Sequence, residues 1–419
     1  MSKHDPYAAF RRPDFRRLLC AWVLAGFGQK MQTLAVGWYI YERTGSALAI
    51  GYVGLAQFAP ALALFLPAGQ LVDRHDRRSL MVVSFSVSAC AALVMLWTAV
   101  EHAAIGWLYL ACAVNGAANT LNRPARAALM PSIVPLSVLP NAVAWAAGMF
   151  QVATFSGPVL AGLLIAMSGD AVVGFGVNFS LYVIALLLAT RISYRGPPQS
   201  SAAAGLHHLL AGVRHVFSNR IILGSLLLDL ASALFGGATA LLPLYAKDIL
   251  QIGPSGLGWL TAAPAVGAMG MAFTLGHLKP SERGGLRLLL ALACYGAATM
   301  VFGWSTSFPL SLIALATIGA MNNINNVTRQ TVLQSHTPDD LRGRVSSVNT
   351  IFATSSNELG AFECGTVAAF AGPVVAVVSG GAITILAVGV IAWLFPDLRR
   401  LKSLAPEPNA LPRTHQPAS

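Results

Sequence analysis

The stretch Gly69-Gln70-Leu71-Val72-Asp73-Arg74-His75-Asp76-Arg77-Arg78 stands between two apolar blocks, near 47–70 and 80–100. Each block matches the roughly 20 apolar residues that a helix needs to cross a hydrocarbon layer about 30 Å thick. A polar connection this short returns the chain to the same side of a membrane. Its arginines indicate which side, because positive residues favour the cytoplasmic face.

Reading outward in windows of that length gives crossings near 18–42, 47–70, 80–100, 104–124, 141–167 and 171–191. A second set lies near 221–245, 256–276, 286–304, 309–329, 345–369 and 374–395. Those longer than the layer tilt or extend past it. If 71–79 is inside, so are the N-terminal tail, 123–140, 192–220, 277–287, 329–344 and the C-terminal tail. Counting Arg191 with the adjoining connection, these segments hold 24 of the 27 lysines and arginines, leaving Arg43 and Lys247 outside and Lys30 within a helix. The asymmetry predicts cytoplasmic termini, and one missed crossing would scramble it.

Composition agrees. Of 419 residues, 55% are hydrophobic and 10% charged, against about 25% charged in ordinary soluble domains. So few charges could not cover a chain of this length in water. The net charge of +11 is spread over short connections rather than gathered on one face, which excludes a nucleic-acid surface. Cys20, Cys90, Cys112, Cys294 and Cys364 are scattered through apolar blocks without a CxxC and read as small apolar fillers. No metal site and no cofactor are expected. No cleavable signal peptide is visible, since the first apolar block follows an Arg-rich lead and is too long for a signal core.

The longest connection, 192–220, opens with Gly196, Pro197, Pro198, Ser200 and Ser201. Leu206, Leu209, Leu210, Val213 and Val216 then follow at helical spacing. It predicts a flexible linker leading into an amphipathic helix on the cytoplasmic interface. A weak repeat supports a division there. Arg126, Ser132 and Pro135 recur at an offset of 203 as Arg329, Ser335 and Pro338. Tyr39 and Glu42 recur at 206 as Tyr245 and Asp248, and Gly69 and Leu71 at 207 as Gly276 and Leu278. The expected organisation is a tail 1–17, a six-helix half 18–191, the linker 192–220, a second six-helix half 221–395, and a mostly disordered tail 396–419.

The stretch 69–78 resembles the G-x-L-x-D-r-x-x-r-[rk] signature of the major facilitator superfamily, in the loop where that family carries it. A generic positive loop explains Arg77 and Arg78, but not glycine, leucine and aspartate at those offsets. The resemblance implies an all-α membrane protein of twelve transmembrane helices in two parallel six-helix repeats. In the gate reading, Gly69 lets two helices approach closely and Asp73 accepts hydrogen bonds at a helix N-terminus. Arg74, Arg77 and Arg78 pair with acids or helix ends opposite. The second copy, from Gly276 to Arg287, has Pro280 in place of the aspartate. Phe15-Arg16-Arg17-Leu18-Leu19, Tyr41-Glu42-Arg43-Thr44-Gly45-Ser46, Asn122-Arg123-Pro124-Ala125-Arg126 and Leu341-Arg342-Gly343-Arg344-Val345 are similar to the branch of bacterial enterobactin-type siderophore exporters. Gly157-Pro158-Val159-Leu160-Ala161-Gly162 resembles the GPxxG element of superfamily antiporters, where Gly157, Pro158 and Gly162 make a helix-bending point. Plain helix packing explains the same residues.

Lys30, Asp229, Glu358 and Glu363 are charged at membrane depth, where each costs about 2.5–3.5 kcal/mol and usually faces a cavity or a partner. Gly26, Gln29, Thr33 and Gly37 share the face of Lys30. Asn115, Asn119, Asn122 and Arg126 form a second polar stripe, and Asn322, Asn325, Asn326 and Arg329 a third. The resemblance implies that such helices line a central cavity. The expected solute and ion path is Gln29, Lys30, Asn115, Asn119, Asp229, Asn322, Asn326 and Glu358. In it Lys30 attracts an anionic or phenolic group, while Asp229 or Glu358 binds and releases a proton. Two structural readings compete: a buried Lys30–Asp229 ion pair joining the halves, and interhelical bonding by the asparagines.

The chain has no GxxxxGK[ST] and no clustered catalytic constellation at membrane depth, so it is expected not to be an enzyme or ATP-driven pump. The expectation is proton-coupled export of a siderophore-like or amphipathic drug-like molecule by a monomer in a bacterial inner membrane. An importer, a differently coupled carrier and a non-transporting sensor are the alternatives.

Overall fold

The computed structural model describes residues 5–194, 206–277, 284–338 and 341–399, except for the side chains of residues 65, 66, 70, 73 and 206–210. The predicted linker stretch 196–201, the Pro280 position and the tail beyond 403 lie outside the described residues, as does the side chain of Asp73.

The described residues form helices and no strand. In chain order these are α1 (Pro13–Thr44), α2 (Ala47–Arg74), α3 (Arg77–Val100), α4 (Ile105–Ile133), α5 (Leu139–Ser168), α6 (Val172–Thr190) and the shorter α7 (Leu206–Ser218). Next come α8 (Arg220–Phe235), α9 (Leu242–Leu244), α10 (Gly253–His277), α11 (Gly284–Trp304), α12 (Phe308–Ser335), α13 (Arg342–Ala371), α14 (Pro373–Leu394) and α15 (Pro396–Arg399). Local chemistry sets the boundaries. Ser46 caps α2 by accepting from the Ala49 N–H at 3.3 Å, and Asp76 caps α3 by accepting from Ser79. Chain reversal after α1 and α5 falls on Gly45 and Gly169, whose positive φ values of 61° and 76° suit glycine.

Eight helical runs among the described residues are long and apolar enough to cross a membrane. The long helices that fall short are α1, α4, α12 and α13. They are the ones whose apolar run is broken by Lys30, by the asparagine stripes and by Glu358 and Glu363. The expected crossing at 221–245 falls within the run Arg220–Ile249, whose backbone changes type along its length. Helix α8 stops at Gly236, a 3₁₀ turn covers Gly237–Leu241, and a π turn follows α9 at Tyr245–Ile249. Proline at 243 lacks the backbone donor that would reach the Thr239 carbonyl, and at the break the Gly236 carbonyl accepts from the Ala238 N–H at 2.8 Å and the Tyr295 hydroxyl at 3.2 Å.

Packing repeats itself. Helix α1 lies on α5 and α6, α2 on α4, and α3 on α4 and α6. Likewise α8 lies on α13 and α14, α10 on α12, and α11 on α12 and α14. The two groups meet where α5 packs on α10 and α2 on α13. One apolar core spans both groups at the end carrying Thr44 and Lys247, where Met31, Trp38, Tyr39 and Leu108 join Leu241, Tyr245, Leu257 and Phe302. Toward the end carrying the 71–79 loop the cores are separate. Leu18, Met81, Phe85 and Leu129 belong to one group, and Val216, Ile222, Val332 and Val345 to the other. The bundle is sealed at one end and cleft at the other.

Candidate functional site

Helix α1 presents Trp22, Gly26, Gln29, Lys30 and Thr33 along one side at helical spacing. Lys30 is half-buried, and a Cβ added to Gly157 of α5 would come within 2.9 Å of its Cβ. The glycine that opens the GPxxG element therefore lets α5 lie directly on α1 at the lysine. Lys30 forms no ion pair with a carboxylate among the described residues. Arg123 is near enough to act on it electrostatically, and the same guanidinium acts on Glu358 of α13. Among the described residues none of Lys30, Arg123 and Glu358 forms an ion pair.

Asn115 has a different place from the one expected. It is buried, donates to Gln32 Oε1 at 2.9 Å, and accepts from Ser88 at 3.0 Å and Asn119 at 3.3 Å. Gln32 Oε1 also accepts from Asn178 at 3.0 Å. This joint ties α1, α3, α4 and α6 together by amide-to-amide bonds, with Asn178 Oδ1 buried and without a partner among the described residues. Sequence reasoning missed Gln32 and Asn178, which stand singly in apolar surroundings. Gln29 and Asn119 stay half-buried, and Asn322 is exposed.

The second group carries a closed charge network. Asp229 is 7% exposed and Arg329 4%. The Asp229 carboxylate accepts from Asn325 at 2.7 Å and lies 3.3 Å from the Arg329 guanidinium. Arg329 also donates to Asn326 at 2.7 Å and to Asn349. The ion pair between Lys30 and Asp229, weighed above, is absent, because Arg329 on α12 already occupies the aspartate. In the first group the corresponding arginine, Arg126, lies 3.7 Å over the ring of Trp22. That ring stacks on Phe150 at 5.1 Å.

Glu358 sits at the seam of the groups. A Cβ on Gly54 of α2 would lie 2.8 Å from its carbonyl oxygen and 3.4 Å from its carboxylate. Gly51 packs on Phe362 and Gly365 in the same seam, and Gly162 fits against Pro254 and Gly258 where α5 meets α10. At the sealed end, Tyr41 donates to Asp248 across the groups.

The 71–79 loop is bound within its own group. Arg77 donates to the Ala128 carbonyl at 2.9 Å and to Ser132 at 3.0 Å. Arg78 donates to the carbonyls of Ala189 and Thr190 at the end of α6. These are cationic contacts at helix C-termini, where the dipole favours them. Arg74 is exposed. In this arrangement nothing lies within 4 Å of a Cβ added at Gly69.

The sequence profile of the Major Facilitator Superfamily matches residues 18–361. Enterobactin exporter EntS of Shigella dysenteriae serotype 1 is 26% identical over 83% of this chain and 84% of its own length. Multidrug efflux pump Tap of Mycolicibacterium fortuitum is 28% identical over 95% and 99%. Among solved structures, a bacterial homolog of the human lysosomal transporter Spinster superposes with a TM-score of 0.70 at 15% identity, covering 97% of this chain and 100% of that one. A POT family transporter gives 0.72 at 10% identity over 92% and 97%. The chain is a multi-pass membrane transporter.

Proposed function

We propose, since the chain belongs to the Major Facilitator Superfamily, that it is a proton-coupled exporter working by alternating access. The reading places twelve crossings in halves 18–191 and 221–395, joined by the linker 192–220 and flanked by tails 1–17 and 396–419. Both termini are then in the cytoplasm of a bacterium, and a monomer in the inner membrane is the working unit. In this orientation the cleft opens inward, ready to take a solute from the cytoplasm. The relatives' names, an enterobactin exporter and a multidrug efflux pump, support outward transport of a small amphipathic molecule.

One observation carries the coupling: Glu358 is a half-buried carboxylate without an ion-pair partner among the described residues, set in the α2–α13 seam that must shear when the cleft changes sides. A proton on it changes the charge of the seam, and with it the balance between the two arrangements. The solute path is Gln29, Lys30, Asn119, Asn322 and Asn326, with Asn115 holding its wall. Asp229 is secondary, because its charge is already matched. Gly69, Asp73, Arg74, Arg77 and Arg78 close the inner end, and Gly157, Pro158 and Gly162 let α5 move on α1 and α10. In proteoliposomes, Glu358→Gln is expected to abolish transport driven by a pH gradient while counterflow at equal pH persists. Unaltered gradient-driven transport in this variant removes the coupling role of Glu358.

A further inference from the structure

The repeat makes Arg126 and Arg329 counterparts, at an offset of 203. Arg329 is matched by Asp229 on α8. Trp22 on α1 stands against Arg126 as Asp229 on α8 stands against Arg329, so the first group sets an indole beside its arginine where the second sets a carboxylate. Arg126 sets its guanidinium carbon 3.7 Å from the centre of that indole and makes no hydrogen bond or ion pair with the described residues. A guanidinium stacked by its face keeps its edge donors free, in the fork that fits a carboxylate.

The surroundings extend the same theme. Phe150 backs the indole, its ring planes 11° apart, and Gly26 leaves room for the phenyl edge at 3.0 Å from an added Cβ. Lys30 lies eight residues further along α1, about 12 Å at 1.5 Å per residue. Arg123 lies one turn from Arg126 on α4. Among the described residues Lys30, Arg123 and Arg126 make no ion pair, so none of them belongs to the Asp229–Arg329 network. An uncompensated positive wall beside a flat aromatic surface discriminates by charge and by shape.

We infer that Trp22, Phe150, Arg126, Arg123 and Lys30 form the binding wall for a planar aromatic anion, stacked on the ring pair with its acidic group held by Arg126 and Lys30. The inference rests on the solute-path reading above and names its substrate class.

Calorimetric titration of the purified full-length protein with 2-naphthoate, 2-naphthylmethanol and 2-naphthylmethylammonium tests it. The expected order is naphthoate at least about tenfold tighter than the alcohol, with the ammonium weakest. Arg126→Gln and Lys30→Gln should each cost naphthoate about tenfold and the alcohol less than about twofold. Alcohol or ammonium binding as tight as naphthoate to the unaltered protein overturns the assignment, as does an order unchanged by Arg126→Gln. The transport reading fails separately. If proteoliposomes under a pH gradient move none of the three probes while the binding order holds, coupled export falls and the anion wall stands.

Discussion

The two groups of helices share a packing scheme but handle buried charge in opposite ways. In the second, Asp229, Arg329, Asn325, Asn326 and Asn349 form a closed network in which each charge meets an opposite charge or an amide. In the first, amides bond to amides through Gln32, Asn115 and Asn178. Its cations Lys30, Arg123 and Arg126 meet an aromatic ring or open space instead. The network pairs the buried charges of the second group with each other. The open one leaves charge on the cleft wall, where a solute can complete it. A duplicated framework therefore does not imply duplicated chemistry, and a single residue, aspartate or tryptophan opposite the arginine, separates the two outcomes.

The largest effect should come from breaking the closed network. Asp229→Asn leaves Arg329 buried without its counter-charge, and loss of one partner of a buried pair costs on the order of 3 kcal/mol. Thermal unfolding in detergent should show a markedly lower midpoint, partly restored in the double variant Asp229→Asn with Arg329→Gln. Lys30→Gln should leave the midpoint almost unchanged, and an equal loss in both single variants would erase the contrast between the groups.

A smaller effect should separate the sealed and cleft ends. An added methyl at Gly162 would meet the Pro254 carbonyl oxygen at 2.4 Å, so Gly162→Ala should destabilise by about 1–3 kcal/mol through overpacking. At Gly69, where an added Cβ meets nothing within 4 Å, Gly69→Ala should change stability by less than about 0.5 kcal/mol. If closure of the cleft brings a helix against Gly69, Gly69→Leu should slow transport with no change in the midpoint. The sealed end itself is probed by Tyr41→Phe. It removes the hydroxyl that bridges the groups at the sealed end, about 1 kcal/mol in favour of opening there. Spin labels at residues 44 and 250 should report a larger population of long distances.

The corrections show which physical information a sequence carries. The amide stripe on α4 was visible from its spacing, because helical period and residue type are local properties. Which neighbour Asn115 bonds was not visible, because Gln32 and Asn178 are 83 and 146 residues from their partners in that joint. The break in α8 left its trace in Gly236, Gly237 and Pro243, but such residues are common in membrane helices. Only the Tyr295 hydroxyl and the close approach of Gly360 show that the backbone departs from a helix there. The reading of Gly69 depends on something the sequence does not carry. A glycine permits close approach, yet whether a helix comes near depends on which end of the bundle is closed.

By itself the sequence determined the helical membrane character, the family and the placement of helices near the apolar blocks. Hydrophobic length, charge asymmetry and turn chemistry act along the chain, within a few residues of one another. The tertiary structure decided who meets whom: Asp229 with Arg329 instead of Lys30, Arg126 with Trp22, Glu358 with the seam at Gly54, and an open end at the 71–79 loop. Side chains distant along the chain meet only when helices pack, and packing also sets how open the cleft is.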